Sequence, residues 1–432
     1  MKKSGIVFLG MLWILASVIH AGEVSPSDNA GSMSLPEILT LVQRDNPDIL
    51  AAQKAWEIAT LQIQSSGTPE NPRIDFEWMY APSTKFSFWN DADEKNIVVN
   101  QALKRPDYYS LQKDIAAVMA QVARERHQKK INEILAQTRS AYALYYHAHH
   151  VLDLYRENVE LLRRFSKVVE AKYIAGQATQ SDPLKAQLEI TRMRTMELVM
   201  AQEKETAQAL LNSLLNRPTQ AELGKPLRPT QFSPLQSLEQ LQNLALAQGP
   251  DIHEATLEVS HAALLVNSAR LDFWPELMLQ YRKRGSAMNG NSHDLMLGVS
   301  LPLWQSSLKA REQAALTEQA MHTAQLKALQ NMTAYEVKNQ LVKVQSAQRF
   351  IELYESSVLP QARQILQITE AAYLSGRSGF LDLMDAQRLQ LGAQLEYHEY
   401  LKQHEQAVAA LESLVGTSVY AAASQNPKNK EE

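Results

Sequence analysis

The chain of 432 residues contains no cysteine. Disulfide frameworks, thiol catalysis and Cys-ligated metals are therefore excluded, as is a lipid attached to a cysteine behind an export signal. Long apolar runs are also scarce. Apart from Ile6 to Ile19, no stretch approaches the roughly 18 to 20 apolar residues that a membrane-spanning helix needs. A polytopic inner-membrane transporter is excluded, and any bilayer crossing has to be made of β-strands. The formal charge of −4 is close to balance and no dense basic stripe occurs, so nucleic acid is not an expected partner. Gly-x-Gly-x-x-Gly, phosphate-loop, His-Glu-x-x-His and nucleophile-elbow motifs are all missing, so neither an enzyme nor a cofactor is expected.

Met1, Lys2 and Lys3 precede the one apolar run, and the small residues Ala21 and Gly22 follow it. That is the layout of a secretory signal over residues 1–21, with the mature chain starting near Gly22; a permanent anchor is the competing reading.

The mature part repeats itself at an offset of about 200 residues. Asn46-Pro47-Asp48-Ile49 returns as Gly249-Pro250-Asp251-Ile252. Glu170-Ala171-Lys172-Tyr173 with Gly176, Asp182, Ala186 and Gln187 returns as Glu370-Ala371-Ala372-Tyr373 with Gly376, Asp382, Ala386 and Gln387. Ala209, Leu211, Ser213 and Leu214 return as Ala409, Leu411, Ser413 and Leu414. A period this long indicates a duplicated half-subunit and not a solenoid. The organisation expected is a first repeat over 22–218, a proline-rich connector over 219–235, a second repeat over 236–416 and a disordered polar tail over 417–432.

Each half reads as helix, hairpin, very long helix, turn, helix. Ile74, Phe76, Trp78 and Tyr80 alternate with Arg73, Asp75, Glu77 and Met79, a period of 2 that predicts a strand over about 73–81. Its partner lies over about 95–104, with Ile97, Val99 and Leu103 on one parity. The second hairpin is expected over about 275–283 and 293–303, where Leu277, Leu279 and Tyr281 alternate with Glu276, Gln280 and Arg282, and Leu295, Leu297, Val299, Leu301 and Leu303 follow after the turn-rich Gly285 to Asn291. Strands of about ten residues suit a transmembrane barrel, but four strands cannot close one, so the chain has to oligomerise if they enter lipid. Two subunits make a side-chain-filled barrel of about eight strands; three make about twelve strands and a pore, the arrangement favoured here. Trp274 and Trp304 at one end, and Trp78, Tyr80, Phe88 and Trp89 at the other, stand where aromatic girdles are needed, with ordinary strand packing as the bland alternative.

Helices are expected over about 106–175 and 181–216, and over about 306–375 and 380–415. Tyr145, Ala148, Leu152, Tyr155, Val159, Leu162, Ser166, Val169 and Tyr173 recur in steps of four and three, a heptad seam on a helix about 100 Å long. Pro360 predicts a kink or register break in its counterpart. Gly176 and Gly376 are the expected helix stops at the tip turns.

These features resemble the TolC-type outer-membrane efflux family over essentially the whole mature chain. The residues that carry the resemblance are the duplicated Tyr-x-x-Gly turns, the segment Gly376-Arg377-Ser378-Gly379-Phe380-Leu381-Asp382-Leu383-Met384-Asp385-Ala386 and the hairpin exit Leu301-Pro302-Leu303-Trp304. Pro69-Glu70-Asn71-Pro72 resembles the Pro-Asn-Pro lead-in of the branch that serves heavy-metal pumps, with Glu70 inserted. The resemblance implies an α+β membrane protein whose homotrimer forms a twelve-stranded barrel continuous with an α-helical periplasmic tube. It further implies a periplasmic adaptor (membrane fusion protein), an inner-membrane pump of the RND type and contact with outer-membrane lipid. Channel-entrance roles carry over to Asp382 and Asp385, three apart on one helix face, although acids in a first helical turn also complement the helix dipole. A closed-tip latch carries over to Tyr373 and Asp182. The family's basic latch residue falls on Ser378, leaving Arg377 one position away as the substitute.

His147, His149 and His150 sit mid-helix, off the heptad seam and without a carboxylate set in the sequence, so surface or groove packing is preferred to a metal site. The scattered methionines are read as filler. The function expected is a passive export duct for metal ions or small toxic compounds. The alternatives are a periplasmic coiled-coil tether whose strands form a soluble domain, and a duct of the same kind for secreted proteins.

Overall fold

The computed structural model describes residues 34–80, 92–229, 235–286, 290–417 and 419. The expected signal over 1–21, Phe88 and Trp89 of the expected girdle, and the tail beyond 419 lie outside the described residues.

Each half opens with two helices where one was expected. Leu35–Asp45 (α1) and Pro47–Ser65 (α2) are separated by Asn46, whose side-chain oxygen accepts from Asp48 N at 3.0 Å and Ile49 N at 3.3 Å. Proline in the first turn cannot bond backwards, so the asparagine caps a new helix instead of continuing the old one. Leu238–Gln248 (α5) and Pro250–Leu271 (α6) repeat the break at Gly249. Arg73–Met79 (β1) and Glu94–Leu103 (β2) follow α2, and Glu276–Ser286 (β3) and Gly290–Ser300 (β4) follow α6.

The four strands form one antiparallel sheet in the order β1-β2-β3-β4, and among the described residues neither outer edge is paired. Register sorts the side chains by face: Ile74 pairs with Val99, Val99 with Tyr281 and Tyr281 with Leu295. Side-chain alternation then puts Ile74, Phe76, Trp78, Ile97, Leu277, Leu279, Leu297 and Val299 on that same face. All of them are exposed, up to 74% for Leu295 and 68% for Leu297. The opposite face carries Asp75, Glu77, Asn96, Asn100, Gln280, Arg282, Arg284 and Asp294. Trp78 stands at the hairpin-loop end, and Trp274 and Trp304, 55% and 81% exposed, stand at the helical end.

Pro106–Ile174 (α3) is one helix of 69 residues, about 100 Å long, and Ser181–Leu214 (α4) returns along it. Tyr145, Ala148, Leu152, Tyr155, Val159, Leu162 and Val169 are buried; Phe165, and not Ser166, fills its turn of the seam, and Tyr173 is 43% exposed. The counterpart is Gln305–Leu353 (α7), a π-helical turn over Tyr354–Val358, and Leu359–Leu374 (α8), followed by Phe380–Val415 (α9). Pro360 has no N–H to give, and the wider turn just before it takes up the register change.

On the sheet side the helices lie in the order α2-α3-α6-α7; toward the turns the order is α4-α3-α9-α8. Two further cores repeat the duplication. Leu35, Ile38 and Val42 of α1 pack with Tyr142, Leu211 and Leu214, and Leu241 and Ala245 of α5 pack with Val337, Leu341, Val408 and Leu411. The connector is strapped across α3, its Leu227 and Leu223 carbonyls accepting from Tyr142 Oη at 2.8 Å and Tyr145 Oη at 3.2 Å.

Candidate functional site

The two turns at the far end of the helices are built alike. At α3, Gly176 N donates to Tyr173 O at 2.9 Å and Gln177 N to Lys172 O at 2.8 Å; at α8, Gly376 N donates to Tyr373 O at 3.1 Å and Arg377 N to Ala372 O at 2.8 Å. Both are Schellman stops, which need the left-handed backbone seen at Gly176, φ 72°, and Gly376, φ 76°. The next helix is capped the same way twice. The Asp182 carboxylate accepts from Thr179 N at 3.1 Å, and the Asp382 carboxylate accepts from Gly379 N at 3.0 Å and Ser378 Oγ at 3.1 Å.

These caps decide what the five site residues do within one protomer. Asp182 is committed to its own turn, with Lys185 at 3.7 Å. The Tyr373 hydroxyl is buried and has no hydrogen-bond partner among the described residues, so the expected Tyr373–Asp182 bond is not formed here. Burial, then the nearby Asp182 charge, pushes the Tyr373 hydroxyl pKa up, which keeps it protonated. Arg377 Nε donates to Ser375 Oγ at 3.0 Å and so folds onto its own turn. Asp382 serves as a helix cap. Asp385 projects outward, its side chain 74% exposed, 3.5 Å from Arg388.

The contacts that do join the halves were not singled out from the sequence. Arg388 on α9 donates through Nε at 3.3 Å and Nη2 at 3.0 Å to the carboxylate of Glu189 on α4, whose side chain is 6% exposed. The forked geometry suits guanidinium and carboxylate, and a carboxylate this buried has to be paired. Lys172 on α3 donates to the Tyr373 carbonyl and lies over its ring, 4.3 Å from the centroid. Buried Gln387 donates to Asn158 Oδ1 at 2.9 Å. A signal existed: Lys172 and Glu189 stand where the second copy has Ala372 and Leu389, so departures from the repeat mark the contacts between halves.

The polar face of the sheet carries a second constellation. Asp75 accepts from Asn100 Nδ2 at 2.9 Å, and Asn100 Oδ1 accepts from Gln280 Nε2 at 2.7 Å. One pair further along, Glu77 lies 3.8 Å from Arg282, and Arg284 lies 2.8 Å from Asp294. A wall of paired charges beside an exposed apolar face fits a water-filled lumen backed by lipid.

His147 and His150 pack beside α9, against Glu399 and His398, whereas His149 lies beside Asp153 and Tyr145 of its own helix; among the described residues no group of three or more His, Asp or Glu side chains is placed to hold a metal. Folding brings Glu399 of α9 to 3.4 Å from His147, while Asp153, four residues along the same helix, lies 3.5 Å from His149.

Residues 38–217 and 241–417 match the outer membrane efflux protein family. The alkaline protease secretion protein AprF of Pseudomonas aeruginosa is 24% identical over 327 residues, covering 71% of this chain and 66% of that protein, just under two thirds of its length. The cobalt-zinc-cadmium resistance protein CzcC of Cupriavidus metallidurans is 23% identical over 404 residues, 91% of this chain and 92% of that protein. Among solved structures, the outer-membrane channel OprN superposes with a TM-score of 0.75 at 17% identity, covering 89% of this chain and 90% of that one. At that identity the likeness shows the fold alone.

Proposed function

Because the chain belongs to the outer membrane efflux protein family, whose members are passive outer-membrane ducts and not enzymes, we propose that it is the duct subunit of a tripartite efflux system. The observation that carries this reading is the sheet. Its apolar face leaves Ile74, Phe76, Leu295 and Leu297 more than half exposed, and burying such a side chain is worth about 1.5–3 kcal/mol. In water that face is a liability; against lipid it is at home, while the opposite face supplies a polar lumen. The unpaired edges of β1 and β4 then have to meet other copies, and three copies give a lumen of about twelve strands.

The helices support the same closure. The layer ends at α4 and α8 toward the tip, and these end helices expose Leu184, Leu188 and Leu198, at 68%, 69% and 72%, and Ile368 at 60%. Such faces suit the neighbouring copies of a closed tube. In the assembled trimer Asp385 and Asp382 ring the periplasmic mouth and attract cations, Arg388 and Glu189 pin α4 to α9 beside it, and a periplasmic adaptor and an RND-type pump deliver cargo and energy.

Metal ions or small toxic compounds are the cargo favoured, because the similarity to CzcC runs nearly end to end. The similarity to AprF supports secreted protein as the second reading. Planar-bilayer conductance of the detergent-extracted protein tests the duct. Long-lived cation-selective channels from trimer-sized particles are expected, whereas a water-soluble protein without conductance refutes the duct and leaves the tether. Deleting the gene and measuring tolerance to metal salts and drugs, together with the secreted proteins, separates the cargoes.

A further inference from the structure

Midway along the α3–α9 seam, His150 and His398 lie ring on ring, centroids 5.5 Å apart and planes within 8° of parallel. Tyr146 packs against His150 at 4.3 Å and Tyr397 edges onto His398 at 5.2 Å, so the pair is walled by aromatic carbon. His398 Nδ1 is buried and has no hydrogen-bond partner among the described residues. A neutral imidazole tolerates this with its lone pair; an imidazolium needs acceptors for both N–H groups and finds none at Nδ1.

The charged groups around the stack do not offset added positive charge. Glu399 of α9 is engaged by Lys402 at 2.7 Å, with His147 at 3.4 Å. Asp153 of α3 is shared by His149 at 3.5 Å, Lys225 of the connector at 3.5 Å and Arg156 at 3.8 Å. Glu355 of the π turn holds Arg228 of the connector at 3.1 Å and accepts from Tyr397 Oη at 2.6 Å. Lys204 of α4 adds a further positive charge near His149. Each of these three carboxylates thus already faces a cation; Glu396 of α9 accepts from Tyr354 Oη, and Arg363 of α8 lines the same pocket as His398 as a further positive charge.

We propose that the His150–His398 stack is an acid-released clasp between the two halves of the subunit, joining α3 to α9 when neutral and parting them when protonated. Burial, then the neighbouring His150, His147 and Arg228, holds the His398 pKa down to about 4, and burial also lowers His150. The separated state titrates near the ordinary value of about 6.5. Because the clasped state binds protons more weakly, its stability is complete above about pH 6.5 and is lost as pH falls toward about 4. The clasp belongs to the fold and does not rest on the duct reading.

The absence of native cysteine allows a direct test on the full-length protein. Exposed Glu157 of α3 and Gln403 of α9 are replaced by cysteine and spin-labelled, and their separation is read by pulsed electron resonance from about pH 7.5 to about pH 4.5. The expected result is a longer, broader distance distribution below about pH 6 in the otherwise native protein, and none in the His150→Phe/His398→Phe variant. If that variant fails to fold, His398→Asn serves in its place and shifts the transition to lower pH. A distance that does not change with pH, or a change that persists unaltered in the variants, overturns the clasp.

Discussion

Replacing Arg388 with alanine releases α4 from α9 at the tip and leaves the Glu189 carboxylate without its partner. Two N–H donors at 3.3 and 3.0 Å are removed from a side chain that is 6% exposed. A charge-assisted hydrogen bond contributes about 1.5–3 kcal/mol. The Arg388 side chain is half exposed, so screening reduces this to about 1–2 kcal/mol per protomer. That is a shift of roughly 5- to 30-fold in the balance between pinned and unpinned tip helices, and three copies compound it. Single-channel recording in planar bilayers reads the shift as an increased open fraction, and limited proteolysis reads it as faster cleavage at the 176–180 turn. Arg388→Lys keeps the charge but loses the fork, so it falls between parent and alanine variant. Glu189→Gln and the double variant close the cycle: if the pair is the pin, the double variant is no more open than the worse single variant. Intact trimers in which Arg388→Ala and Glu189→Gln both conduct and digest like the parent refute the reasoning.

Arginine at Leu297, on the apolar sheet face, is expected to cost about 2–4 kcal/mol and to lower the yield of membrane-assembled protein, whereas arginine at its neighbour Met296, on the lumen face, assembles normally and changes ion selectivity; heat-modifiability on gels checks assembly. Gly376→Ala meets open space and carries only the strain of φ 76°, about 1–2 kcal/mol, while Gly67→Ala adds a Cβ 2.3 Å from the Tyr109 carbonyl oxygen at φ 73°, so thermal unfolding shows the larger loss at Gly67. Asp385→Ala is expected to reduce cation selectivity with little change in melting temperature. Asp382→Ala is expected to cost about 1 kcal/mol in addition, because it removes the cap on Gly379 N.

The duplication was legible because it is written in local chemistry. Tyr173-x-x-Gly176 and Tyr373-x-x-Gly376 need the same left-handed glycine, and Asp182 and Asp382 cap the same kind of turn, so the residues recur with the hydrogen bonds. The strands were legible for a similar reason, since an apolar face and a polar face two residues out of phase leave a direct trace. The helix split at Asn46 and the π turn before Pro360 were less so, because they depend on how a proline's missing N–H is accommodated. Contacts between halves were hidden. Arg388 and Glu189 are 199 positions apart, and nothing local to either announces the pair. The latch residues show what position alone leaves out: within one protomer Asp182 is occupied by its own helix N-terminus and Arg377 by Ser375, and the buried Tyr373 hydroxyl has no partner among the described residues.

Closure of the sheet between copies is the central claim, and cross-linking of its two free edges tests it most directly. One cysteine is placed on β1, at Asp75 or Glu77, and a second on β4, at Asp294, Met296 or Gly298, in the cysteine-free chain, and the membrane-assembled protein is oxidised and run on a denaturing gel. The account predicts that at least one pairing yields dimer and trimer bands and nothing larger, because β1 of each copy meets β4 of the next and the ring ends at three. Monomer alone across all pairings, or a ladder that continues past three, would contradict it.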